Sequence, residues 1–247
     1  MANIIHVVMI APEYPPSSMG GLGTHVNELV QGLANKNIRV TVFVTEAGPS
    51  KLQSPENVQV IFCRPPELGI CPFTFERYYR QVDHVTSQVL AYFERDTIRP
   101  DLVHCHDWVG FPFAAQIRRL WRIPVVSTIH FLQHPISWKW GVSPSHHVVS
   151  VEEEMCTTSD CVLTVSHAML NEICNTYPAA IDRIRVIYNG FKRPECAAPL
   201  DDVVECLRSF NIEPQVASTV LVAARLVPQK GICFLLESAR SVLRACS

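Results

Sequence analysis

Short apolar runs alternate along the chain with segments whose apolar side chains recur at helical spacing. Ile4–Ala11 has the pattern of a buried strand, and His25–Asn35 then places its apolar residues on one face, as in a helix. Further strands are predicted at Ile38–Thr45, Val58–Cys63, Leu102–Cys105, Pro124–Ile129, Cys161–Val165 and Ile184–Tyr188. Further helices are predicted at Phe75–Asp96, at Gly110–Trp121 and from a Ser166 cap through Thr176.

The predicted strands have no regular alternation of polar side chains, as expected when helices cover both faces of a sheet. Repeated strand–helix alternation of this kind forms a parallel sheet. We therefore predict an α/β fold, a Rossmann-like, doubly wound parallel sheet.

A connector rich in proline and alanine is predicted at Asn189–Pro199. A new unit then starts, with helix Asp201–Phe210, strand Ser218–Ala224 and helix Gly231–Ala245. We assign residues 1–193 to a first domain and residues 194–247 to the incomplete start of a second Rossmann-like domain, because the latter stretch is too short for an independent α/β domain.

Composition excludes several classes of protein. Of the 247 residues 48% are hydrophobic and 18% charged, with a formal net charge of −2, which is typical of a globular protein and gives no basic stripe for nucleic acid. Ten cysteines form no CxxC pair, and the first apolar run has no signal-peptide flanks. No run reaches the length of a membrane span. These features indicate a reduced, cytoplasmic protein with no transmembrane segment.

A glycine-rich loop, Gly20-Gly21-Leu22-Gly23, lies between the first predicted strand and helix. In open α/β sheets ligands bind at this crevice, and glycines let a phosphate approach the backbone at a helix N-terminus. The spacing is neither GxGxxG nor a P-loop with its lysine. A merely tight turn remains the alternative.

Histidines follow two neighbouring predicted strands. His104 and His106 lie on one face of a strand by alternation and are followed by Asp107, while His130 ends the next strand. Zinc would need three or four protein ligands, and His-x-His supplies two. The alternatives are a hydrogen-bonded strand end that caps the next helix and, for His130, a structural histidine. Aromatic Trp138 lies in the loop beyond, where a sugar ring could stack.

Two cationic residues come shortly before the last predicted helix. Arg225 ends the predicted strand and Lys230 precedes Gly231. Cations that converge on a helix N-terminus suit a diphosphate. A solvated basic turn is the alternative.

Taken in order, these motifs resemble the glycogen-synthase-like retaining glycosyltransferases of the GT-B fold, the glycosyltransferase family 4 type. The resemblance covers the whole chain. Its segments are Ala11–Pro16 with Gly20–Gly23, His104–Asp107, Thr128–His130, Leu163–Ser166, Val186–Gly190 and Ala224–Gly231.

The resemblance implies a first domain that binds the acceptor and a second that binds a nucleotide-diphosphate sugar. It implies a donor-diphosphate site at Gly20, Gly21, Arg225 and Lys230. It implies catalytic roles for His130 and Asp107. His106 and Trp138 are expected to bind the acceptor, which is a carbohydrate or a small molecule. No metal or other cofactor is expected, because the two cations neutralise the phosphates.

Two departures from the family pattern matter. Met19 stands where bacterial glycogen synthases usually have a lysine, which favours the wider family. The family continues beyond the equivalent of Ser247 and includes two donor-binding glutamates, so we expect the chain alone not to transfer sugar. The alternative function is a non-catalytic binding module, a truncated homologue that binds an acceptor or a full-length partner. Self-association is also expected, because an incomplete domain leaves apolar surface uncovered. A nicotinamide-dependent oxidoreductase is disfavoured by the glycine spacing.

Overall fold

The computed structural model describes residues 4–17, 20–46, 48–49, 52–63, 74–95, 99–133, 143, 145–190, 192, 199–213, 222–224, 226 and 230–245. Its contacts divide the chain into two compact units, residues 1–192 and residues 193–247. Each unit is described by itself below.

The first unit is built on a seven-stranded sheet in which every neighbouring pair of strands is parallel. The strands are β1 (His6–Ala11), β2 (Arg39–Val44), β3 (Val58–Phe62), β4 (Leu102–His106), β5 (Val125–Ile129), β6 (Cys161–Thr164) and β7 (Ile184–Val186). Their order across the sheet is β3-β2-β1-β4-β5-β6-β7. The predicted Rossmann-like α/β fold is confirmed.

In the described residues, the helices between these strands are α1 (Gly21–Ala34), α2 (Phe75–Arg95), α3 (Asp107–Trp121), α4 (His146–Thr158) and α5 (His167–Thr176), with a 3-10 helix at Pro178–Arg183 before β7. The Ser166 hydroxyl accepts a hydrogen bond from the Met169 amide at 3.1 Å and caps α5, as predicted.

The core has two halves because successive side chains of a strand point to opposite faces. Met9 and Ala11 of β1 belong to the cluster that packs against α1. Val8 and Ile10 belong to the larger cluster, to which α2, α3, α4 and α5 all contribute. Burial on both faces is why the strands lack polar alternation.

The first turns of α3 pack closely against the sheet at Gly110. A Cβ atom on this residue would lie 3.3 Å from both the Cys105 Cβ and the Ile10 carbonyl oxygen. Glycine therefore permits the close approach of α3 to β4 and β1, which brings the start of α3 directly to the end of β4.

Several predicted boundaries differ from the structure. Helix α1 begins at Gly21 and not at His25, β4 extends through His106, and α3 begins at Asp107 and not at Gly110. Helix α4 was not predicted.

The second unit contains α6 (Leu200–Ser209) and α7 (Ile232–Ala245), close to the two helices predicted there. Most of the predicted strand Ser218–Ala224 lies outside the described residues. The assignment of residues 194–247 to an incomplete second domain, with a boundary at residue 193, therefore stays a prediction.

Candidate active site

The carboxyl ends of β1, β4 and β5 lie side by side at one edge of the sheet. From β1 the chain runs outward to β2 and β3, and it then returns to place β4 on the other side of β1. The crevice at such a reversal of strand order is where open α/β sheets bind ligands. Helix α1 follows β1 at this edge, and α3 follows β4.

The glycine loop opens α1. Gly20 has φ −162° and ψ −171°, an extended backbone that any residue adopts, and α1 starts at Gly21. The only described glycine with a positive φ is Gly231, so backbone angles do not demand glycine at these two positions. A Cβ atom on Gly21 would meet nothing within 4 Å. A side chain here would instead enter the open space beside the start of α1.

Glu13 explains why α1 begins one turn earlier than the apolar spacing predicts. Its carboxylate Oε1 accepts a hydrogen bond from the Gly23 amide at 3.0 Å and so supplies the acceptor that an N-cap side chain usually provides. Gly20 itself has no side chain to do so.

His106 and His130 form a hydrogen-bonded pair. His106 is the last residue of β4 and is fully buried, and His130 directly follows β5 and is partly buried. Their Nδ1 and Nε2 atoms, respectively, share a hydrogen bond of 3.1 Å, and the rings stack with centroids 5.4 Å apart. His106 occupies the N-cap position of α3, but its side chain makes no capping bond, so its ring is committed to His130.

Two more histidines complete this cluster. His104 stacks on His106 with ring centroids 4.6 Å apart, and its Nε2 bonds to the Thr128 hydroxyl at 2.7 Å. His25, from the second turn of α1, contacts the rings of His130 at 4.6 Å and His106 at 5.5 Å. The four histidines thus come from α1, β4 and the end of β5.

Burial keeps these imidazoles uncharged. It lowers the pKa of His104 to about 4 and that of His130 to about 3, and lowers the pKa of His25 and, further, that of His106. The neighbouring rings lower the pKa values of His104, His106 and His130 further, because two charged imidazoles in contact would repel each other. At pH 7 the cluster therefore offers neutral rings with available lone pairs.

Asp107 holds the backbone of His130. Its carboxylate Oδ1 accepts the His130 amide hydrogen at 2.7 Å, and the Phe131 amide also bonds to this group. Asp107 has φ +54°, a conformation that aspartate tolerates better than most residues. This backbone turn takes the chain from β4 into α3 with no intervening loop. Burial raises the pKa of the Asp107 carboxyl to about 7 despite the two amide donors.

Helix α4 fastens the segment that follows His130. The fully buried Glu152 accepts a hydrogen bond from the Gln133 amide at 2.6 Å and another from the Tyr177 hydroxyl at 3.0 Å. A buried carboxylate is stable only when its oxygens are hydrogen-bonded. Glu152 was missed by the sequence reasoning because α4 was missed.

Five of the eight predicted site residues lie together in the first unit. Gly20, Gly21, His106, Asp107 and His130 lie at the same edge of the first unit. Lys230 is exposed in the second unit, and Arg225 and Trp138 lie outside the described residues. The roles assigned to all eight residues stay predictions.

His25 is the member of the cluster that sequence reasoning missed. It was assigned only to the start of the first helix. Its signal was its position, because a residue in the first turns after β1 must lie at the edge where β4 and β5 end.

A cavity of about 640 Å³ lies elsewhere, at the start of β5, and is lined in part by Arg118, Arg119, Glu154 and Asp160. The arginines are ion-paired there, Arg118 with Asp160 at 3.5 Å and Arg119 with Glu154 at 3.7 Å. We assign the site to the histidine edge because its polar atoms lie at the reversal of strand order.

Comparison with known proteins gives related sequences over nearly the whole chain. An uncharacterized glycosyltransferase of Methanocaldococcus jannaschii is 27% identical over 241 residues, which cover 96% of this chain and 60% of that protein. Glycogen synthase of Mycobacterium tuberculosis is 30% identical over 205 residues, covering 75% of this chain and 48% of that protein. The chain thus spans about half the length of these relatives.

Solved structures share the fold. Anabaena HepE in complex with UDP and glucose superposes with a TM-score of 0.67 at 17% identity, covering 95% of this chain and 57% of that chain. The catalytic domain of starch synthase IV from Arabidopsis thaliana, bound to ADP and acarbose, gives 0.66 at 17% identity, covering 98% and 67%. In the described part of the chain no helix is long and apolar enough to cross a membrane.

The family profile described as Glycosyltransferase Family 4 matches residues 19–192, from the glycine loop to the end of the first unit. This match includes every histidine of the cluster together with Asp107. The resemblance deduced from the motifs is thereby confirmed, and the chain belongs to Glycosyltransferase Family 4.

Proposed function

We propose that this chain is the acceptor-side part of a glycosyltransferase that moves a sugar from a nucleotide-diphosphate sugar to an acceptor, with retention of configuration. The observation that carries the proposal is the position of His130. Its neutral ring lies at the carboxyl edge of the sheet, beside the glycine opening of α1, in a chain of this family.

The proposed donor is supported by the complexes of the structural relatives, one of which contains UDP and glucose and another ADP. In this proposal the diphosphate approaches Gly20 and Gly21, where a Cβ atom on Gly21 would meet nothing within 4 Å. Glu13 already accepts the Gly23 amide hydrogen, which leaves the preceding amides of α1 for phosphate oxygens.

The proposed chemistry follows from where charge develops. Departure of the nucleoside diphosphate leaves additional negative charge on the β-phosphate, which Arg225 and Lys230 and the amides of α1 would stabilise. The anomeric carbon becomes positively charged, and the uncharged His130 ring contacts the sugar without repelling it. Cationic side chains make a metal unnecessary for this step.

Asp107 and His106 act through His130 in this proposal. Asp107 fixes the His130 backbone, and His106 fixes its ring. His106 is fully buried, which favours a role in positioning His130 over the acceptor contact that the sequence predicted. Trp138 remains the proposed acceptor contact.

A second candidate function is a binding module without catalysis. Large apolar side chains are exposed on α7, including Phe234 at 70% and Leu236 at 67% of their surface. Exposed apolar surface of this kind favours association with another protein surface.

For either function we propose a cytoplasmic location, which is supported by the free thiol of every described cysteine.

A screen of nucleotide sugars against mixed acceptors, with mass spectrometry of the products, tests the proposal. It should be run on the chain itself and on an extended form that carries a complete donor-side domain. We expect the extended form to give a product whose anomeric configuration equals that of the donor. Absence of product from every donor, together with stable self-association, would favour the binding module.

A further inference from the structure

Three histidine side chains approach one another closely enough to share an ion. His25 of α1, His106 of β4 and His130 beyond β5 each offer a ring nitrogen, and these three atoms all lie within 4.8 Å of one another. The sequence alone supplied only His104 and His106, which is too few ligands. The fold adds the ligands that the sequence pattern lacked.

The cluster also contains ring nitrogens that lack partners. The Nε2 atom of His25, which would bind the ion, is buried and makes no hydrogen bond within the described part of the chain. The Nε2 atom of His106 is likewise buried without a partner, but it lies on the other side of its ring from the Nδ1 atom that faces His130. A buried polar atom without a partner costs free energy, and such atoms often mark a site for a ligand, ion or water. The Asn189 side chain hydrogen-bonds to the His25 ring, as outer groups do when they orient a metal-binding imidazole.

We propose that His25, His106 and His130 form a site for a divalent transition-metal ion, of which Zn²⁺ is the representative, with a fourth position open to water or another ligand. An all-imidazole ligand set suits Zn²⁺, Co²⁺, Ni²⁺ or Cu²⁺ and does not suit Mg²⁺ or Ca²⁺, which prefer oxygen ligands. Three protein ligands with one open position is a common arrangement for zinc.

The distances between the ring nitrogens are close to those that one ion requires. With zinc–nitrogen bonds of about 2.0–2.1 Å, two ligand nitrogens on a tetrahedral ion lie about 3.4 Å apart. His106 Nδ1 and His130 Nε2 are already 3.1 Å apart. The His106 and His130 rings would have to turn so that their lone pairs converge on the ion, and the His25 ring would have to come closer to them.

Binding also changes where one proton lies. At present a proton is shared in the bond between His106 and His130. When both nitrogens of this bond bind the ion, that proton moves to the opposite nitrogen of its own ring, and both imidazoles stay neutral.

The site goes beyond the proposed sugar transfer, which needs no metal, and an ion bound there would compete with the sugar for His130. Its test is titration of the chelator-treated chain with Co²⁺, followed by displacement with Zn²⁺. We expect one Co²⁺ per chain, with the visible absorption of a tetrahedral ion. Replacing one of three ligands, as in His25→Ala, should weaken binding at least tenfold. His25→Gln provides a second variant if His25→Ala does not fold.

The matched control is His84→Ala, since His84 lies on α2 and bonds to Gln88, outside the cluster. We expect its Co²⁺ affinity to equal that of the unmodified chain. The ten cysteines are an alternative source of ligands, and thiolate ligands would give intense near-ultraviolet absorption with Co²⁺. Such absorption, unchanged binding by both His25 variants, or no bound Co²⁺ would each overturn the proposal.

Discussion

His130 is fixed by its neighbours and has little freedom of its own. Asp107 bonds to its amide, His106 bonds to its ring, and His25 contacts the face or edge of that ring. Contacts on several sides hold a functional group in one orientation before a substrate arrives, which is the condition for efficient catalysis.

The first prediction at this scale concerns His130→Ala in an extended form with a complete donor-side domain. We expect turnover to fall at least tenfold, because the preorganised contact to the transferring sugar is lost. The melting temperature should stay within a few degrees, since the ring is only partly buried. The control His84→Ala should keep full turnover. A large fall in melting temperature with intact turnover would show a purely structural histidine.

The second concerns Asp107→Asn, which keeps an oxygen acceptor for the His130 amide. Burial raises the Asp107 pKa from 3.8 to about 7, so the folded state binds this proton more tightly than the unfolded state. The resulting stability is fully present below pH 3.8 and is lost as the pH rises to about 7. At 1.36 kcal/mol per pKa unit this change is at most about 4 kcal/mol.

We therefore expect the unfolding free energy of Asp107→Asn, relative to the unmodified chain, to rise between pH 4 and pH 7. Denaturant unfolding of both proteins at each pH measures this difference. The variant must be compared with the unmodified chain at each pH, because the buried histidines also change the unfolding free energy with pH. Their contribution has the opposite sign, since it is lost as the pH falls below 6.5. A pH-independent difference would show that the carboxyl titrates normally.

At the scale of elements, the start of α1 is held by a group distant in sequence. Glu13 provides the acceptor for the Gly23 amide. A Cβ atom on Gly21 would meet nothing within 4 Å, so a side chain there would not disturb the start of α1. Substitution of Gly21 is therefore a clean probe of the space outside the helix.

We expect Gly21→Val in the extended form to reduce turnover at least tenfold, because its side chain would occupy the space through which the diphosphate approaches. Circular dichroism and melting temperature should change little. Full turnover by this variant would reject the phosphate role of the loop.

Alanine substitutions at two helical glycines should change the unfolding free energy in opposite directions. Gly110→Ala would place a Cβ atom 3.3 Å from the backbone of β1 and the side chain of Cys105, and should destabilise the chain by about 1–3 kcal/mol. Gly32→Ala, in α1, meets nothing within 4 Å and should stabilise it by about 0.5–1 kcal/mol. Equal effects of the two substitutions in urea unfolding would contradict the close packing of α3.

Apolar spacing predicted most elements, but not the junctions of this site. It placed the first helix too late because the cap comes from Glu13, and it missed the direct transition at Asp107 because a positive φ leaves no apolar signal. Helix α4 did have a signal, in Val148, Val151 and Met155, which are all buried. Its polar Glu152, buried by bonds to Gln133 and Tyr177, interrupts the apolar stripe. Contacts between residues distant in sequence are what local spacing cannot reveal.

At the scale of the whole molecule, the stability of the chain resides in its first unit. Among the described residues, all seven strands and both hydrophobic clusters fall within residues 1–192. We expect a protein of these residues to fold alone and to unfold in one cooperative transition. Its urea midpoint should match that of the complete chain. Failure to fold would show that residues 193–247 stabilise the sheet.

The strand order also has a consequence for synthesis on the ribosome. β1 lies between β2 and β4, so the first three strands can pair with one another as soon as they emerge. Each later strand then joins the strand made just before it, except β4, which joins the free side of β1. After β1, no strand has to wait for a partner that is translated later. The sheet can thus grow in the order in which its residues are made, from a central seed and then along a single advancing edge.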